Sequence, residues 1–128
     1  MSIVGNLISG FSQGDDLEIA HTIQSIPSGK LLSKVWFMVK EKFTDDDSAA
    51  IISKLATTTL VTTSGYISDT GIDGTGAASI YLTHTDTTLL LPFIENVYSI
   101  KVLFSDNTVR TTETGIIVAY PTARQGVT

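Results

Sequence analysis

With 128 residues, 13 acidic and 8 basic side chains and a net charge of −5, the chain has the length of one domain built around a single core. Its cations are scattered singly, so no basic stripe can neutralise phosphates and nucleic acid is not an expected partner. Cysteine is absent, which removes disulfide frameworks and thiolate metal sites, and no apolar run approaches the ~20 residues of a membrane span.

Nineteen threonines, fourteen isoleucines and nine valines dominate the composition. β-Branched side chains lose rotamer freedom in helices and sit well on a pleated sheet, so the chain leans all-β. Residues 1–14 place Ile3, Val4, Leu7, Ile8 and Phe11 at near-helical spacing, but Gly5 and Gly10 oppose a stable helix. The segment reads as an adaptable apolar N-terminal arm that packs on its own domain or, in the sharper version, on a neighbouring subunit. It lacks the positive n-region and continuous apolar stretch of a signal peptide, so synthesis in the cytoplasm without export is expected.

Period-two alternation begins after Asp15. Leu17, Ile19, His21 and Ile23 share one face, and Pro27-Ser28-Gly29 ends the run in a turn. Residues 33–43 put Val35, Phe37, Val39 and Phe43 on the core side and Lys34, Trp36, Met38, Lys40 and Lys42 on the other. Asp45-Asp46-Asp47 reads as a solvated turn without the ligand spacing of a calcium loop. From there Ser48 is a candidate cap for a short helix to Leu55, and a strand over 51–58 fits the periodicity equally.

Residues 57–64 are strand-like and 68–76 a glycine-rich loop, whose Gly-Ile-Asp-Gly-Thr-Gly lacks the lysine and following helix of a phosphate-binding loop. Ala78, Ile80 and Leu82 then alternate inward, followed by a turn around Asp86 and an apolar link over 89–93. Tyr98, Ile100, Val102 and Phe104 make the clearest core face, with Ser105-Asp106-Asn107 as a hairpin turn into the last strand. About seven short strands with no long amphipathic helix predict an immunoglobulin-like antiparallel β-sandwich over 15–120, flanked by the arm at 1–14 and a tail at 121–128.

No catalytic constellation accompanies this pattern. His21 and His84 lack the spacing of paired zinc ligands, and no Gly-x-Ser-x-Gly elbow is present. Catalytic, cofactor-binding and metal-binding residues are therefore assigned to none, and the chain is not read as an enzyme. Trp36 and Met38 point away from the core beside Lys34 and Lys40; either the loop before Ala78 or the N-terminal arm covers Trp36, or the face is an apolar patch rimmed by cations of the kind that marks interaction sites.

Gly14-Asp15-Asp16-Leu17 before the first strand, the Val35-Trp36-Phe37-Met38-Val39-Lys40 strand ahead of the Asp-rich turn, and the closing 98–111 run with Gly115 and Ile117 carry a resemblance. Over about 14–118 the chain resembles the small immunoglobulin-like domains of tailed-phage virions, found near baseplate upper proteins and among tail and head accessory proteins. The resemblance implies a non-enzymatic building block of the virion, made in the host cytoplasm, without cofactor. It would dock on capsid or tail subunits, and on further copies of itself, as capsid decoration (cement) or as a tail or baseplate component. Ile3, Val4, Leu7, Ile8, Phe11, Trp36 and Met38 are the expected partner-binding residues. A carbohydrate-binding or adhesive module, stacking Trp36, Tyr66 or Tyr81 on sugar rings, is the alternative.

Overall fold

A computed structural model describes residues 6–122, which form eight strands in two sheets. The strands are β1 (Asn6–Ile8), β2 (Leu17–Ile23), β3 (Leu32–Lys40), β4 (Ile52–Ala56), β5 (Gly65–Asp69), β6 (Gly76–Leu82), β7 (Asn96–Phe104) and β8 (Val109–Ile117). One short helix, α1 (His84–Thr88), lies between β6 and β7. The five-stranded sheet has the order β1-β8-β7-β3-β4 and the three-stranded sheet β2-β6-β5. All pairings are antiparallel except β1 on β8, which is parallel. The expected immunoglobulin-like sandwich is therefore present.

Alternation explains the core. On β3, Val35, Phe37 and Val39 are buried. On β7, Tyr98, Ile100, Val102 and Phe104 are buried beside them, and Ile80 and Leu82 of β6 enter from the opposite sheet. These nine side chains are the expected inward set. The Phe37 and Tyr98 rings, on adjacent strands, lie 5.6 Å apart in a tilted arrangement that aromatic quadrupoles favour.

Several elements depart from the sequence reading. Phe43 is 56% exposed rather than core, because β3 ends at Lys40 and a turn breaks the parity on which the assignment depended. The 48–56 region is a single 3-10 turn at Asp47–Ala49 followed by β4, so the strand reading holds and Ser48 caps nothing. Residues 57–64 are irregular, and the strand lies instead at β5, within and before the presumed glycine loop. Thr and Ser hydroxyls here bond local backbone instead of favouring a ladder: Thr57 Oγ1 accepts from Thr59 N, and Ser64 Oγ donates to Leu55 O at 2.6 Å. The turn around Asp86 is the capped helix α1, in which Thr83 and Asp86 form a capping box. Lys54 Nζ holds the same carboxylate at 2.7 Å and ties α1 to β4.

The N-terminal segment is also corrected. From Asn6 onward it belongs to the sandwich: β1 extends the five-stranded sheet, Ile8 packs against the core, and Phe11 is only 5% exposed. Phe11, expected to bind a partner, is thus occupied by its own domain. Of the arm's expected partner-binding residues that are described, Leu7 alone is exposed, at 65%, while Ile3 and Val4 lie outside the described residues. At the far end of the predicted 15–120 unit Tyr120 N donates to Phe11 O, so the described part of the arm is built into that unit, while residues 123–128 of the tail lie outside the described residues.

Gly115 makes the β1 pairing possible, since a Cβ there would sit 2.0 Å from the Asn6 carbonyl oxygen and 2.7 Å from the Tyr98 ring. Gly115→Ala is expected to cost ~1–3 kcal/mol through overpacking and to release β1, read as a lowered urea midpoint with faster amide exchange at 6–8. Ile100→Ala, which empties the centre of the core, is expected to cost ~2–5 kcal/mol in the same denaturation measurement. A loss well under ~1 kcal/mol there would contradict the packing described.

Candidate docking face

The residues that alternate out of the core on β3, β7 and β8 meet in cross-strand rows on the outer face of the five-stranded sheet. Leu55, Trp36, Lys101 and Thr111 form one row, and Ser53, Met38, Ser99 and Thr114 the next. Lys40, Val97, Ile116 and Leu7 form a third. Trp36 and Met38, expected together on this face, are half-buried neighbours on it. Leu7 joins the same face three strands away, across β7 and β8, whereas Ile8 and Phe11 do not.

A groove of about 470 Å³ opens over these rows, with Trp36, Met38, Val97 and Val109 among its apolar lining. Phe43 lines it too, which accounts for a large aromatic left outside the core. Two cations and one anion complete the lining: Lys40, Lys101 and Asp47. Lys40 Nζ donates to Asp47 Oδ1 at 2.7 Å and to the Asp45 carbonyl at 2.9 Å. That bond and the Lys40 charge hold the Asp47 carboxyl below the usual range, with a weaker pull from Lys101. Asp45 meanwhile accepts from Lys42 N at 3.2 Å, so the acidic turn uses its oxygens on its own chain. Among the described residues no three His, Asp or Glu side chains converge in a manner suited to a metal ion.

A second polar site lies between the sheets, and sequence reasoning missed it. His21 Nε2 of β2 meets Thr112 Oγ1 of β8 at 2.8 Å, and His21 Nδ1 faces Glu113 Oε1 at 3.6 Å. Tyr98 donates its hydroxyl to the other Glu113 oxygen at 2.5 Å. Beside them Arg110 donates to the Gln24 and Ser25 carbonyls at 2.7 and 3.2 Å. Together these contacts bind the open side of the sandwich, where β2 and β8 face each other without a shared ladder. Burial and then the Glu113 carboxylate push the Tyr98 hydroxyl well above its ordinary value. Burial lowers the His21 pKa against the opposing pull of Glu113. The available signal was a histidine in the apolar phase of β2, but its partners lie on strands far along the chain. His84 is elsewhere, at the start of α1, with Asp16 at 3.4 Å.

The aromatics of the carbohydrate reading do not form one platform. Trp36 is on the five-stranded sheet, while Tyr66 and Tyr81 belong to β5 and β6 of the other. Tyr81 lines a smaller cleft with Asp16, Glu18 and Thr62.

No family model and no curated protein matches the chain. Among solved structures it is similar to the NK cell receptor Nkp44, a triggering partner in natural cytotoxicity, with a TM-score of 0.51 and 16% sequence identity. The alignment covers 92% of this chain and 99% of that one. At this identity the likeness establishes the immunoglobulin-like fold and nothing of the chemistry.

The inter-sheet cluster makes stability depend on pH. Because the folded state lowers the His21 pKa, the unfolded chain takes up that proton first on acidification, starting near the ordinary histidine value of ~6.5. The contribution is complete above that pH and declines as pH falls through the lowered folded value. Burial works to raise the Asp86 carboxyl, but bonds from Lys54 and Thr83 outweigh it and hold its pKa low. Its stabilising contribution is therefore lost only lower, beginning near the ordinary ~4 of an aspartate. His21→Gln is expected to flatten the loss between about pH 6.5 and 5 in urea-denaturation profiles while keeping the limb below ~4. An unchanged upper limb in the variant would show that another group governs it.

Proposed function

We propose that this protein is a non-enzymatic structural module of a tailed-phage virion, docked on the particle through the outer face of its five-stranded sheet. The observation that carries the reading is the groove: the only tryptophan of the chain, with Met38, Phe43 and Val97, lines an open surface that the described residues leave uncovered. A chain with 16% charged residues, against an ordinary quarter, suits a subunit that buries part of its exterior. The resemblance of its strand and turn residues to virion domains supplies the setting, and either capsid decoration or a tail or baseplate position is compatible with the face described. Further copies on the same particle would give the homo-oligomeric array, and no cofactor is needed for such a role.

Truncating Trp36 and Met38 together to Ala should leave circular dichroism unchanged, since neither side chain is in the core. Occupancy on purified virions should fall at least ~tenfold, because a central aromatic anchor is commonly worth ~2 kcal/mol or more. Wild-type occupancy in that double variant would overturn the docking face. Binding on a glycan array that required Trp36, with no virion association, would instead favour the carbohydrate-binding alternative.

A further inference from the structure

We propose that the groove on the outer sheet face receives an acidic segment of its partner, an apolar side chain seated against Trp36 and a carboxylate set on Lys101. This rests on the docking reading above and adds the chemistry of the partner. On a chain of net charge −5, the groove is lined by two cations and one anion. Asp47 is already joined to Lys40 at 2.7 Å. Lys101, exposed and next to Trp36 in the cross-strand register, has no hydrogen bond or ion pair among the described residues. Lys34, paired with Leu103 further along the same face, is likewise exposed and unbonded among them.

Trp36, Met38, Phe43, Val97 and Val109 line the groove among the hydroxyls of Ser99, Thr111 and Thr114, so the partner must present an apolar group as well as a charge. A cavity of about 470 Å³ falls within the range that encloses a side chain or small ligand. A second copy is a poor occupant: a two-fold contact brings the same patch against itself, so Lys101 and Lys34 would meet the like-charged face of the other copy, a juxtaposition that costs affinity. Three groups thus define the occupant: Trp36 the apolar anchor, Lys101 a cation that feels Asp47 only weakly and has no ion pair among the described residues, and Lys40 with Asp47 a self-neutralised border.

The sole tryptophan is a reporter built into the site. Titrating the folded protein with the capped peptide Glu-Glu-Phe-Glu-Glu should shift Trp36 fluorescence saturably and less so as salt rises. Lys-Lys-Phe-Lys-Lys and Glu-Glu-Ser-Glu-Glu should each give a much weaker response. Lys101→Met should weaken the first peptide about fivefold, the upper range for an exposed ion pair, and Lys101→Glu should turn the preference toward the basic peptide. No saturable response to the acidic peptide, an equal response to the basic one, or indifference to Lys101→Glu would overturn the inference. A dimer in sedimentation that Trp36→Ala dissociates would overturn it too, by making a second copy the occupant. Virion occupancy separates this failure from that of the docking reading. If Trp36 and Met38 are required on the particle but Lys101→Glu is tolerated, only the acidic partner is lost; if none of the three matters, the docking face itself is wrong.

Discussion

The sandwich depends on the packing of β3 and β7 against the opposite sheet, with Phe37 and Tyr98 in ring contact at its centre. Antibody-type sandwiches add a disulfide between their sheets; this chain has no cysteine, so apolar burial and a few polar contacts must hold the layers. Val35, Phe37, Val39, Tyr98, Ile100 and Val102 are fully buried, and each fixes which way its neighbours point. Once those residues turn inward, Trp36, Met38, Ser99 and Lys101 must turn outward. The candidate docking face is the complement of the core, set by the same alternation.

The polar contacts between the layers gather on one side of the sandwich. On the side where β2 and β8 face each other, His21, Thr112, Glu113 and Tyr98 satisfy one another, and Arg110 bridges to the carbonyls after β2. No buried side-chain nitrogen or oxygen among the described residues is left without a partner. A half-satisfied network here would cost more than an apolar replacement, so these residues gain their value as a set.

Legibility in the sequence followed the range of the interaction. The inward faces of β2, β3, β6 and β7 were readable because a period of two is a local property of consecutive residues. Trp36 and Met38 were placed on the outer face by the same count, and that count failed at Phe43, where the strand had already ended. β5 was hidden because Gly65 and Asp69 mark it as a loop by composition; a Cβ at Gly65 would lie 2.7 Å from the Ser79 carbonyl, so close approach to β6 selects glycine inside a strand. The His21 cluster, the role of Gly115 and the docking of Phe11 all join residues distant in the chain, and nothing in a local pattern encodes such meetings. Function was legible least, since a sandwich shared with an NK cell receptor at 16% identity is a scaffold on which unrelated surfaces can be placed.

The parallel seating of β1 on β8 also sets the order in which the molecule can be completed. The first described strand has as its ladder partner the last one, so Asn6, Leu7 and Ile8 have no place to bind until Gly115, Ile116 and Ile117 have been synthesised. β3 can pair early with β4 on one edge but waits for β7 on the other, while β2, β5 and β6 can assemble from the sequence already released. The five-stranded sheet therefore stays incomplete until β7 and β8 are available, and closure comes by contacts of long sequence separation that form slowly. The emerging chain, rather than the finished sandwich, is therefore the state most exposed to aggregation.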